Sequence, residues 1–248
     1  MSELRIRFHE VGKAYGRRHL TSALLRDVLR GAFLRAQDET DRFWALRGVS
    51  FDVGEGEAVA VLGQNGSGKS TLLSLVAGAS HPTEGRVSVR GRIAPMLALG
   101  VGFEPDMTAP ENAYVNASLL GVSRDELSER LEEILAFAEL GDFVDTAVRH
   151  YSTGMTARLG FAVAMHVNAD VLLVDEVLAV GDGAFQAKCL DRIRELRDGG
   201  TTLLFVTHDL PVARQVATRG IWLRGGKVVC DAAIERCLAE YGAFLESG

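Results

Sequence analysis

Apolar and polar residues alternate over 4–11 (LRIRFHEV), the period of a half-buried strand. Over 19–36 the period changes. Leu20, Leu24, Leu25, Val28, Leu29, Ala32 and Phe33 recur at helical spacing, and Arg26, Arg30 and Arg35 give the segment a basic side. This predicts an amphipathic helix. Residues 44–62 read as two strands joined at Gly54-Glu55-Gly56, the second running from Ala58 to Leu62. A glycine-rich loop follows, then a helix to Gly78. Two short strands broken at Gly91 are expected over 86–98, and helices over 110–140, 155–168, 184–198 and 231–246. The runs Val171 to Val174 and Leu203 to Thr207 have the continuous apolar character of parallel strands buried on both faces. Ile221 to Leu223 and Val228 to Cys230 read as a hairpin across Arg224-Gly225-Gly226-Lys227. Strands alternating with helices predict an α/β fold with a mostly parallel central sheet. The early strands and 86–98 add an antiparallel part, and 110–168 a helical lobe.

With 248 residues, 47% apolar and 24% charged, the chain can bury the core of one domain, or of one domain with a lobe. Its formal charge of −6 argues against bulk nucleic-acid binding. The charge is uneven, since residues 1–50 carry +4 and the remainder −10. A basic start suits phosphate, a membrane surface or an acidic partner, and equally a plain solvated face. Cys189, Cys230 and Cys237 show no metal or redox spacing and read as ordinary thiols of a reducing cytosol. The N-terminus lacks the apolar stretch of a signal peptide, and no segment approaches the roughly 20 apolar residues of a membrane span. Any membrane role is therefore expected to come through a partner.

The chemistry concentrates at Gly63-Gln64-Asn65-Gly66-Ser67-Gly68-Lys69-Ser70-Thr71, a full G-x-x-x-x-G-K-[ST] match between a buried strand and a helix. Glycines allow successive backbone N–H groups to turn inward on phosphates, and the helix adds its positive end. Lys69 is expected to reach the β- and γ-phosphates of ATP, and the Ser70 hydroxyl to hold Mg²⁺. The run Val171 to Val174 ends in Asp175-Glu176, at the strand end where open α/β sheets bind ligands. Adjacent strand residues point apart, so Asp175 can bind Mg²⁺ while Glu176 polarises the attacking water. His208 follows the next buried strand and is expected to contact the γ-phosphate.

Together with Tyr151-Ser152-Thr153-Gly154-Met155-Thr156-Ala157-Arg158-Leu159, these residues resemble the nucleotide-binding subunits of ABC transporters. The closest likeness is to ATPases that export bacterial O-antigen, capsule and teichoic acid. It rests on YSTGMTARLGFAVA, on VLLVDEVLAVGD, on the insertion between Tyr15 and Phe43-Trp44-Ala45-Leu46, and on Leu99 to Pro105. The resemblance covers essentially the whole chain.

The resemblance implies the P-loop ABC ATPase fold: a mixed central sheet, an antiparallel β subdomain and a helical subdomain over about 105–168. The chain is then a single nucleotide-binding domain over 1–248, with 19–36 inserted, a terminal helix over 231–248 and no carbohydrate-binding domain. It also implies that Ser152, Gly154 and Met155 face the γ-phosphate held by a second copy, so that a homodimer sandwiches two ATP molecules. Tyr15 would stack on adenine and Asp182 would belong to the D-loop. Glu104 stands where most relatives carry a Mg²⁺-ligating glutamine. Gly63, Asn65, Gly66, Ser67, Gly68, Ser70 and Thr71 complete the nucleotide site. The implied partners are a pair of integral-membrane permease subunits at the cytoplasmic face of the inner membrane, with a lipid-linked polysaccharide as cargo and no nucleic acid. The 19–36 helix can gate polymer entry at the membrane, dock on the permease or pack on its own sheet. An ABC ATPase for another cargo and a soluble non-transport P-loop ATPase are the alternatives. Single-cassette length and the absence of a long coiled coil weigh against the second.

Overall fold

A computed structural model describes residues 3–16, 42–96, 100, 102–175 and 181–247. The segment expected to form the basic helix (19–36) lies outside the described residues, as do Leu99, Val101 and Glu176 to Val180. Two sheets organise the rest. Strands β1 (Leu4–Gly16), β2 (Arg42–Gly54) and β4 (Glu84–Val89) form an antiparallel sheet in the order β2-β1-β4. The larger sheet has the order β5-β6-β7-β3-β8-β9, built from β3 (Ala58–Leu62), β5 (Ile93–Met96), β6 (Val171–Val174), β7 (Thr202–Val206), β8 (Arg219–Arg224) and β9 (Lys227–Ala233). All neighbours in it are parallel except β8 and β9, so it is mixed.

The placement of β5 corrects the expectation that 86–98 belongs wholly to the antiparallel part. Residues Ile93 to Met96 pair in parallel with Val171 to Val174, and only β4 joins β1. Asp170 makes the switch at Gly91 physical. Its carboxylate accepts from the Arg92 N–H at 2.7 Å, and the Asp170 N–H donates to the Arg92 carbonyl at 2.9 Å.

Side chains alternate across the central strands, so each apolar run feeds two cores. Ala58, Ala60, Leu62, Leu172, Val174, Leu203 and Phe205 face one side, with α5 (Thr153–His166), α6 (Gly183–Asp198), α7 (Leu210–Val216) and α8 (Ile234–Glu246). Val59, Val61, Val171, Leu173, Leu204 and Val206 face the other, where α1 (Lys69–Val76) and the antiparallel sheet close the layer. Phe8 and Phe51 stack there with ring centroids 4.5 Å apart. The expected terminal helix begins three residues late, because Asp231 to Ala233 still pair with β8.

A third core lies in the lobe. The single helical stretch expected over 110–140 resolves into α2 (Ala109–Leu119), α3 (Arg124–Ser128) and α4 (Leu131–Ala138). Thr108 and Glu111 form a capping box at α2, and the Ser123 side chain caps α3. Asn112 is fully buried. Its Oδ1 accepts from the Glu104 N–H at 2.7 Å, and its Nδ2 donates to the carbonyls of Glu104, Met107 and Thr108 at 3.0–3.1 Å.

Burial pushes the thiols of Cys189 and Cys237 up to about 12, so they stay protonated and unreactive. His166 is buried at the end of α5, with Nδ1 2.7 Å from the Ala162 carbonyl. Burial holds its pKa below the ordinary 6.5.

Asn112→Ala leaves several backbone groups short of a partner in the lobe, and should lower the free energy of urea unfolding by about 1–3 kcal/mol. For His166 the neutral form is the native one. Below pH 6.5 the unfolded chain takes up a proton that the native chain does not until its lowered pKa is reached, so stability falls as pH drops. His166→Gln should flatten that part of the thermal-stability profile between about pH 7 and about pH 5.

Candidate nucleotide-binding site

Gly63 follows five buried residues of β3 and turns the chain at φ 149°. Gly66 (φ 79°) and Gly68 (φ 107°) complete a loop that L side chains rarely follow. A Cβ on Gly68 would also lie 2.5 Å from the Ala45 carbonyl oxygen. Lys69 opens α1 and is buried, and its Nζ donates to the Gly63 carbonyl at 2.7 Å and to that of Gln64 at 3.2 Å. No side chain caps α1 and no acid sits in its first turn, so its N-terminal N–H groups suit an anion.

A cavity of about 350 Å³ lies in front of this loop. Its walls are Asn65, Gly66, Gly68, Lys69, Ser70 and Thr71, with Asp175 at the end of β6 and with Phe43 and Ala45 from β2. Most of the predicted phosphate cradle and two of the three residues predicted for the metal, Ser70 and Asp175, therefore converge in one place. Two expected members stand apart: Gly63 and Ser67 do not line the cavity. The Ser67 side chain is buried and its hydroxyl has no partner among the described residues, while the residue itself lines a second cavity with Gln64, Asn65 and Gly66.

The strand order explains the convergence. The strand β7 lies between β6 and β3, parallel to both, so Asp175, His208 and Gly63 leave along one edge of the sheet. His208 is exposed there but does not line the cavity. Glu176, the expected water-activating group, lies outside the described residues.

Phe43 is not among the residues that the sequence predicts to touch nucleotide. Tyr15 and Phe43 are cross-strand partners, both nearly half exposed, yet Phe43 is the one that lines the cavity. The Lys13 ammonium sits 5.0 Å from the Tyr15 ring centre. The aromatic at the mouth is found from the β1–β2 register, since a single aromatic position in the sequence does not tell which strand faces the loop.

Glu104 also stands away from the cavity. It is exposed, and Asn112 ties its backbone to the start of α2.

Ser152 caps α5, its hydroxyl accepting from the Met155 N–H at 3.2 Å. Ser152, Gly154 and Met155 do not line the P-loop cavity of their own chain. Asp182 caps α6 through the Phe185 N–H at 3.0 Å and accepts from Arg158 Nη2 at 2.9 Å. The Phe185 N–H first, and Arg158 in addition, hold the Asp182 carboxyl below its usual range. Arg158 also covers the Phe185 ring at 4.7 Å and approaches Glu139 at 3.6 Å. The sequence gives no sign of this link, because its partners are far apart along the chain.

A family model described as ABC transporter matches residues 46–179, which include the P-loop, α5 and β6. The chain belongs to the ABC transporter family. An O-antigen export system ATP-binding protein, RfbB of Klebsiella pneumoniae, is 45% identical over 95% of this chain and 96% of its own length. The teichoic acids export ATP-binding protein TagH of Listeria monocytogenes is 35% identical over 98% of this chain and 71% of its own. Among solved structures, a dimeric ATP-binding cassette in a post-hydrolysis state bound to ADP and Pi is similar at TM-score 0.72 and 26% identity. That similarity covers 92% of this chain and 98% of that one. This ABC chain is thus a nucleotide-binding ATPase cassette. No helix among the described residues is long and apolar enough to cross a membrane.

Gly68→Ala puts a Cβ into the Ala45 carbonyl at a left-handed position. Nucleotide affinity, measured by isothermal titration with Mg-ADP, should fall roughly a hundredfold or more, with far-ultraviolet circular dichroism little changed.

Proposed function

We propose that this chain binds and hydrolyses ATP as the cassette subunit of an exporter of lipid-linked cell-surface polysaccharide. Two copies act together with a pair of integral-membrane permease subunits, at the cytoplasmic face of the inner membrane. The observation that carries the hydrolytic reading is the single cavity shared by Lys69, Ser70, Thr71 and Asp175. The polysaccharide cargo is supported by the O-antigen and teichoic acid export systems to which the similar proteins belong. Pairing is supported by the dimeric state of the similar cassette.

In this reading the loop N–H groups from Gly66 to Lys69 and the Lys69 ammonium meet the β- and γ-phosphates. The donor set fits Mg²⁺. Ser70 and Asp175 offer hard oxygen ligands, and no cluster of three or more His, Cys, Asp or Glu suited to a metal exists among the described residues. A cation held by one or two protein oxygens, substrate phosphates and water is the usual arrangement for Mg²⁺. Bound there, Mg²⁺ would neutralise charge on the phosphates. Glu176 orients and polarises the attacking water, and His208 contacts the γ-phosphate from the neighbouring strand. Phe43, with Tyr15 beside it, supplies the apolar wall for the base.

Ser152, Gly154 and Met155 at the α5 N-terminus, with Asp182 close by through Arg158, complete the site of the other copy. The domain assignment is one nucleotide-binding unit over 1–248, with the helical subdomain over about 105–168. Glu104, which does not line the cavity, is assigned as the stand-in for the glutamine that ligates Mg²⁺ and couples the site to the membrane partner.

Glu176→Gln should bind Mg-ATP with unchanged affinity and lose turnover by roughly a hundredfold or more. Turnover is read by phosphate release from the purified chain with its copurified membrane partner, with and without lipid-linked glycan. Turnover retained in the variant sinks the role of Glu176, and failure of the glycan to alter the rate counts against the cargo.

A further inference from the structure

The second cavity, about 230 Å³ behind the P-loop tip, separates Gln64, Asn65 and Gly66 from the β8–β9 turn and from Phe244 of α8. Beside this space the turn reaches the loop, where the Gly226 N–H donates to the Ser67 carbonyl at 3.1 Å. On its other side the Gly226 carbonyl accepts from the Arg47 N–H at 2.8 Å. We propose that Gly226 is a positioning residue for nucleotide binding, which aims the Gly68 N–H into the phosphate cavity.

Peptide geometry connects the two sides of the loop. The Ser67 carbonyl and the Gly68 N–H belong to one peptide group, and the described chain contains no cis peptide. In a trans peptide the C=O and N–H point in opposite directions. Holding the Ser67 oxygen from behind therefore turns the Gly68 N–H forward, and Gly68 lines the front cavity. A loop of three positive-φ glycines has little rotational preference of its own, so an outside tether decides this orientation.

The tether needs glycine at 226 for two reasons. Its φ is +76°, and a Cβ there would fall 2.7 Å from the Ala45 carbonyl oxygen, 3.1 Å from the Ala45 carbonyl carbon and 3.2 Å from the Leu46 Cα. All three are main-chain atoms of β2, which cannot swing aside. The same Ala45 oxygen would lie 2.5 Å from a Cβ on Gly68. The β2 backbone therefore abuts both the turn and the loop, which also touch each other, and a displaced turn moves both. Gly225 provides an internal comparison, because it is also left-handed (φ +56°) but a Cβ there would meet nothing within 4 Å. From the far side the Arg224 guanidinium lies 4.5 Å from the Phe244 ring centre, and Phe244 packs on Trp222 at 5.3 Å, so α8 braces the turn.

The inference rests on the nucleotide-binding reading of the P-loop. Isothermal titration of the full chain with Mg-ADP compares wild type, Gly226→Ala and Gly225→Ala, each checked for thermal midpoint. Gly226→Ala should weaken binding about tenfold or more, while Gly225→Ala, carrying similar turn strain, stays within about twofold of wild type. Under saturating Mg-ATP, Gly226→Ala should regain most of its turnover, a change in KM larger than that in kcat. Equal affinity for Gly226→Ala and Gly225→Ala overturns the proposal. No binding by wild type overturns the nucleotide reading itself and this inference with it. Should Gly226→Ala fail to fold, hydrogen exchange on the wild-type chain decides. Slower exchange at the Gly226 amide on adding Mg-ADP supports the tether, and unchanged exchange refutes it.

Discussion

Main chain packed directly on main chain is the constraint around which the nucleotide site is built. At Gly63, Gly68 and Gly226 a Cβ would lie within 2.5–2.7 Å of a backbone carbonyl oxygen belonging to another segment. The P-loop, the β2 strand and the β8–β9 turn thus share a volume that ordinary residues would fill. Close approach lets peptide dipoles, rather than flexible side chains, define the cradle. Their orientation is fixed before any ligand arrives, which is what makes such dipoles effective against phosphate charge. At these three positions the close approach leaves no room for a side chain.

The two cores on either side of the central sheet keep that cradle in place. Alternation along β3, β6 and β7 sends successive side chains to opposite layers, so every strand carrying a functional group at its end is locked from both faces. The lobe has a core of its own, but α5 is shared: Leu159, Ala162 and Val163 face that core, Phe161, Ala164 and Met165 enter the main one, and Phe137 packs on Phe161 and Phe185. Ion pairs add to this joint. Arg92 reaches Glu126, Lys188 reaches Glu139, and Arg158 spans Glu139 and Asp182. These ion pairs are partly exposed and individually weak. The apolar residues of α5 therefore do more than these pairs to hold the lobe against the main sheet.

Much of this is readable in the residues. The P-loop announces itself because its chemistry demands specific residue types at fixed spacing. The strands β6 and β7 announce themselves because a parallel strand buried on both faces has no polar position to spare. The helices expected over 155–168 and 184–198 likewise begin close to where Ser152 and Asp182 cap them. What escapes depends on long-range pairing. Ile93 to Met96 is too short to declare its sheet, and its partner β6 lies far along the chain. Phe43 faces the cavity by virtue of the β1–β2 register, with its several irregularities. Asn112 looks like any polar helix residue until the carbonyls around it are located. Glu104, assigned to the metal by resemblance, has its backbone tied to the foot of α2 by Asn112, a link that no local pattern announces.

The last rung of the β1–β2 ladder pairs Gly16 with Arg42, one step beyond the Tyr15–Phe43 pair. Whatever chain runs between them departs and returns through adjacent points. Closing such an excursion carries an entropic penalty that rises only logarithmically with its length. The hairpin is thus a socket into which stretches of very different size can be grafted without recasting the sheet. Arg42 is followed at once by Phe43, so that end of the ladder and the cavity in front of the P-loop share one strand.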